Sequence, residues 1–123
     1  MTLEELYAQI GGSYQEALDR MRSERLVSKF VVKFLADDSC SRLMDAWDAG
    51  DEAAAFKAAH EAKGVCSNLC MTKLAALTAE ITETLRPGND ELRTNTDVDA
   101  LVNDLRRLYG HVTARISEFA GQQ

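Results

Sequence analysis

The sequence predicts an all-α fold, an antiparallel four-helix bundle with a short extra helical segment at the N-terminus. Three observations carry that expectation. Apolar residues recur at three- and four-residue spacing along almost the whole chain, strand-like alternation is scarce, and Pro87 is the single proline. With 123 residues the chain suffices for one core and not for two, so residues 1–123 read as one domain. Within it, residues 1–22 are expected to form N-terminal capping helices and residues 23–120 the bundle.

Each element has a local reason. Thr2 and Glu5 have capping-box spacing and open a short helix that Gly11-Gly12 interrupts; Ser13 and Glu16 repeat the box and start a second piece. From about Ser23 to Ala36, Val27, Phe30, Val31 and Phe34 fall on one face. Asp37-Asp38-Ser39 supplies a stop and a new N-cap, before Leu43, Ala46 and Trp47 at helical spacing. Gly50 then ends that helix and Asp51 caps the next, an alanine-rich helix of high propensity running to about Leu69. Leu74, Leu77, Ile81 and Leu85 mark another, closed by Arg86-Pro87-Gly88. A polar loop through Thr96 leads to the last helix. Its stripe of Leu101, Leu105, Leu108, Val112, Ile116 and Phe119 keeps to one side for about five turns.

Charge narrows the function. The 20 acidic residues outnumber 14 basic ones, and the net charge of −6 argues against nucleic acid and anionic membranes as partners. The start, Met-Thr-Leu-Glu-Glu, lacks the basic and apolar regions of a signal peptide, and no apolar run is long enough to span a bilayer. A soluble, cytoplasmic protein is expected, with Cys40, Cys66 and Cys70 as free thiols.

The alanine-rich helix holds the candidate chemistry. At about 100° per residue, Ala55, Ala58, Ala59, Ala62, Val65, Cys66 and Leu69 gather on a core side of mostly small residues. Lys57, His60, Lys63, Gly64, Ser67 and Asn68 lie opposite, with Phe56 among them. His60 therefore points outward. Glycine inside a helix costs roughly 1 kcal/mol relative to alanine, so Gly64 is out of character here. Helical side chains lean toward the N-terminus, and any side chain at position 64 would cover the His60 imidazole. The alternatives are a close backbone approach or simple tolerance. Lys63 flanks the same face and would stabilise arriving negative charge, unless it is an ordinary solvated lysine. Phe56 belongs to a docking patch or is covered by a neighbouring helix; both remain open.

His60-Glu61-Ala62-Lys63-Gly64 resembles the H-x-x-K-G signature of histidine-containing phosphotransfer (HPt) domains. Gly50-Asp51, Ala59, Asn68-Leu69 and the leucine-spaced helix after them resemble the pattern too, from about Ser23 to Leu85. Two positions depart from it. Ala62 stands where the family has a larger aliphatic residue, and Cys70 where it has glycine, a change expected to affect packing of the following helix near the site.

The resemblance implies a phosphohistidine carrier. His60, by Nε2, would take a phosphoryl group from a receiver domain's aspartyl phosphate and pass it to another receiver's aspartate. Lys63 and Gly64 would assist, with Phe56, Lys57, Ser67 and Asn68 as candidates for docking or phosphoryl contacts. Ser67 is equally read as a plain surface serine, and Glu61, about 100° around the helix, as a mild bias toward imidazolium. The partners implied are receiver domains of response regulators and hybrid histidine kinases, meeting a monomer. No cofactor is expected in the chain, Mg²⁺ coming with the receiver. Without a glycine-rich phosphate loop, ATP-dependent autokinase activity is not expected.

Two rival readings stand beside this one. In the first, the same fold binds receivers as an adaptor without accepting phosphate, Cys70 being the reason to consider it. In the second, His60, Cys66 and Cys70 form a metal or redox site, although Cys66 is about 120° from His60 around the helix. His111, lacking a lysine and glycine after it, is read as structural or solvated.

Overall fold

The structure is a computed structural model that describes residues 1–122. Among them it has eight α-helices and no strand: α1 Leu3–Ile10, α2 Tyr14–Met21, α3 Glu24–Lys33, α4 Ser39–Asp48, α5 Glu52–Asn68, α6 Thr72–Leu85, α7 Asp90–Asn95 and α8 Val98–Gly121, with a 3₁₀ turn at Phe34–Ala36. Helices α4, α5, α6 and α8 form the bundle. Short turns join α4 to α5 and α5 to α6, which run antiparallel, and a longer connection that holds α7 leads to α8; α5 lies between α4 and α6, and α8 packs on α4 and α6. Helices α1 and α3 cover α8.

Helix ends explain the sharp turns. After α4, Gly50 takes φ +77°, Gly50 N–H donates to the Trp47 carbonyl and Asp51 N–H to that of Ala46. These two bonds form a Schellman motif. The turn after α5 repeats it: Cys70 N–H donates to the Ser67 carbonyl and Met71 N–H to that of Cys66, with Cys70 at φ +56°. Cys70 thus holds the left-handed conformation that glycine adopts without strain. Both hydrogen bonds of the turn are kept with Cys70 in that place.

The N-terminal segment docks on this same turn. Gly12 sits so close that a Cβ would come within 2.8 Å of the Cys70 carbonyl oxygen and 2.7 Å of the Tyr7 ring. Ser13 N–H donates to the Cys70 carbonyl, and the buried Tyr7 hydroxyl donates to the Leu69 carbonyl at 2.7 Å. Burial pushes the Tyr7 phenol up from its ordinary pKa. Tyr7→Phe would orphan the Leu69 carbonyl and is expected to cost about 1–3 kcal/mol in thermal or urea unfolding. An unchanged stability would mean that this bond does not pin the segment.

Several local expectations are revised. The Thr2/Glu5 capping box is complete, but at Ser13/Glu16 only one arm forms, because Ser13 N–H is taken by Cys70. Asp37 caps α4, accepting from the Ser39 N–H and hydroxyl, while Asp38 pairs with Arg42. Val27, Val31 and Phe34 are buried, whereas Phe30, at the edge of their stripe, is 39 % exposed under the Lys33 ammonium. The expected polar loop before the last helix contains α7, fixed by Arg93, which pairs with Glu52 and lies over the Trp47 ring. On α8 the core positions are Val98, Val102, Leu105, Val112, Ile116 and Phe119; Leu101 and Leu108 are half-buried.

Small residues set the packing around α5. Ala55, Ala58, Ala59, Ala62 and Cys66 are buried and let α4 and α6 approach it closely. On α6, the buried Thr78, Thr82 and Thr84 hydroxyls donate to carbonyls of their own helix, so no polar partner is needed across the core.

Candidate functional site

Helix α5 starts where Asp51 accepts the Ala54 N–H at 3.0 Å, and this register fixes which residues face out. His60 is exposed on the middle of the outward arc. Its ring stacks with the half-buried Phe56 one turn earlier, centroids 6.3 Å apart and planes 25° from parallel. Phe56 packs against the core as well, so its ring is covered in part while one side stays on the surface. Gly64 lies one turn beyond His60, and a Cβ built there meets nothing within 4 Å. That excludes close backbone approach as the reason for this glycine. The space belongs to solvent, beside the imidazole.

The flanks differ in charge. Toward α4, Glu61 is engaged by Arg42 at 2.8 Å, and Arg42 also holds Asp38. Toward α6, Lys63 is partly buried and, among the described residues, has no carboxylate within ion-pair distance. Glu83 of α6 answers it at longer range. A charge-assisted bond from Arg86 holds the Glu83 carboxyl below the usual carboxylate range, and the fields of Lys63 and His60 add to this. In return, Glu83 raises the pKa of the Arg86 guanidinium. Arg86 lies 5.3 Å from the centre of the Phe56 ring, the same ring that stacks with His60.

Not every candidate joins this group. Lys57 and Ser67 are exposed on the His60 side, and the Ser67 carbonyl accepts from Arg20 of α2 at 2.7 Å. Asn68 is turned toward α3 and lines a groove of about 230 Å³ with Phe30, Lys33 and Val65. Glu83 and Arg86 were not anticipated. Their only sequence signal, Arg86-Pro87-Gly88, read as a helix stop, and nothing in the spacing tied it to His60.

The cysteines stand apart from the imidazole. Cys66 and Cys40 are both buried, and the neighbouring Cys40 thiol together with burial pushes the Cys66 pKa up. Its thiol stays protonated and faces the core. Among the described residues no group of three His, Cys, Asp or Glu side chains is placed to hold a metal. His111 is exposed on α8, with Nε2 2.8 Å from the Gln9 carbonyl, a tie between α8 and α1. No helix is long and apolar enough among the described residues to cross a membrane.

What the arrangement can do follows from these placements. An imidazole open to a bulky partner, an ammonium on its flank and an empty place one turn on suit attack on an electrophile that carries negative charge. A family model described as the Hpt domain matches residues 32–111, a span that begins within α3 and includes α4 to α7 and part of α8. No curated protein and no solved structure matches the chain.

Proposed function

The chain belongs to the Hpt domain family, and from that premise we propose that His60 is the residue on which it carries a phosphoryl group. Hpt domains act in histidine phosphotransfer within phosphorelays, as carriers and not as enzymes in the usual sense. The observation that supports His60 is its exposure beside the open space at Gly64, on the outward face of α5.

In the proposed step the neutral His60 ring attacks through Nε2. A nitrogen–phosphorus bond forms and the acyl phosphate's phosphorus–oxygen bond breaks, leaving its electron pair on the receiver's aspartate. The cationic ring that results can lose its Nδ1 proton to solvent. In the reverse direction an aspartate oxygen attacks and the imidazole departs. Charge spreads over the equatorial oxygens in the transition state, so positioning and nearby cations supply the catalysis. Of the two lysines on the ring's own helix, Lys57 and Lys63, Lys63 lies on the Gly64 side and is the one proposed to serve.

Glu61 and Glu83 are both engaged by arginines, and the remaining charged groups by the ring are cations, a donor set that does not suit a divalent metal. Mg²⁺ is therefore proposed to arrive with the receiver. We also propose a cytoplasmic monomer without autokinase activity, whose partners are receivers of response regulators and hybrid kinases.

The test is incubation with a ³²P-labelled phosphorylated receiver domain. Acid-labile, base-stable label on this chain is expected; receiver binding without label would favour an adaptor. Lys63→Ala is expected to slow transfer about fivefold with the circular dichroism spectrum intact. An unchanged rate would remove Lys63 from the mechanism.

A further inference from the structure

Arg86 and Glu83 sit at the C-terminal end of α6, alongside the Phe56 and Lys63 flank of α5. The guanidinium makes two kinds of contact. It lies over the Phe56 ring, which stacks on His60, and it grips Glu83, with Nη2 2.8 Å from Oε1 and Nε 3.2 and 3.3 Å from the two carboxylate oxygens. Both partners are open to water, at 40 % and 50 % exposure, and a pair so exposed contributes little to stability. A change of partner is correspondingly easy. Lys63 and His60 act on the same carboxylate only at longer range, so Arg86 is the basic group that Glu83 holds directly.

We propose that Arg86 is a second phosphoryl-binding cation, masked by Glu83 in the unmodified chain and released to the phosphoryl group once His60 carries it. This rests on His60 as the acceptor. A phosphoryl group bears more negative charge than a carboxylate and offers three strong acceptor oxygens. The planar guanidinium fork matches two of them at once, and the apolar face of Phe56 gives it a surface to move across. Glu83, left behind, remains solvated. The same carboxylate opposes the arrival of the phosphoryl group, so Glu83 restrains a reaction that Arg86 assists.

Potassium phosphoramidate tests this on the full chain without a receiver: its nitrogen–phosphorus bond breaks, ammonia leaves and the bond to His60 forms. Phosphohistidine formation is expected to slow about fivefold in Arg86→Ala, to recover in part in Arg86→Lys, and to quicken about twofold in Glu83→Gln. The quickening is expected to vanish in Glu83→Gln/Arg86→Ala. In nuclear magnetic resonance spectra the Arg86 Nε–H signal is expected to move when His60 is labelled. Labelled His60 with an unmoved Arg86 signal, or a double variant quickened as much as Glu83→Gln alone, would overturn the role of Arg86 and leave the acceptor standing. A wild-type chain that takes no label on His60, from phosphoramidate or from a phosphorylated receiver, would overturn the acceptor and this proposal together.

Discussion

His60→Gln is expected to abolish phosphoryl uptake from a phosphorylated receiver while the helical circular dichroism spectrum stays unchanged. Glutamine keeps a polar side chain on the exposed arc of α5 but offers an amide nitrogen whose lone pair is delocalised and does not attack phosphorus. The fold has little to lose. His60 is exposed, the buried alanines that seat α5 lie on the other side, and the Phe56 stack is a surface contact. His111, exposed on α8, has no open glycine position or lysine one turn on, so it should not take over. Label retained at the wild-type level in His60→Gln would place the phosphoryl group elsewhere and refute the assignment.

Gly64→Leu is expected to move stability and activity in opposite directions. A leucine Cβ at this position meets no neighbour, and exchanging glycine for a good helix former inside α5 should add about 0.5–1 kcal/mol of stability. The longer side chain leans toward the preceding turn, over the His60 ring, where it would hold a receiver's active site away. Transfer should fall about tenfold or more, since small misplacements of reacting atoms are costly. A melting temperature and a labelling time course on the same preparation decide it. A variant that transfers at the wild-type rate would show that the space beside His60 is not where the partner enters.

Much of the bundle was legible in the chain itself because the signals are local. The caps at Thr2, Ser13 and Asp51 each rest on a side chain a few residues from the N–H it accepts. The outward face of α5 follows from its 3.6-residue period, which put His60, Gly64 and Lys57 in solvent and five small residues in the core. Periodicity was less reliable at the borders of a stripe. Phe30, Leu101 and Leu108 lie at such edges, and neighbouring helices, not their own, decide how far they are covered.

By itself, then, the sequence determined the helical class, the turns and the face on which the imidazole stands, all set by contacts within a few residues along the chain. Only the tertiary structure decided what surrounds that imidazole. The Glu83–Arg86 pair comes alongside from α6 through Phe56, and the α1–α2 turn closes on the Leu69 and Cys70 carbonyls. The short α7 belongs with these, since Arg93 ties it to Glu52 and Trp47. The physical reason is common to all of them: each depends on groups far apart in the chain whose distance is fixed only when the helices pack.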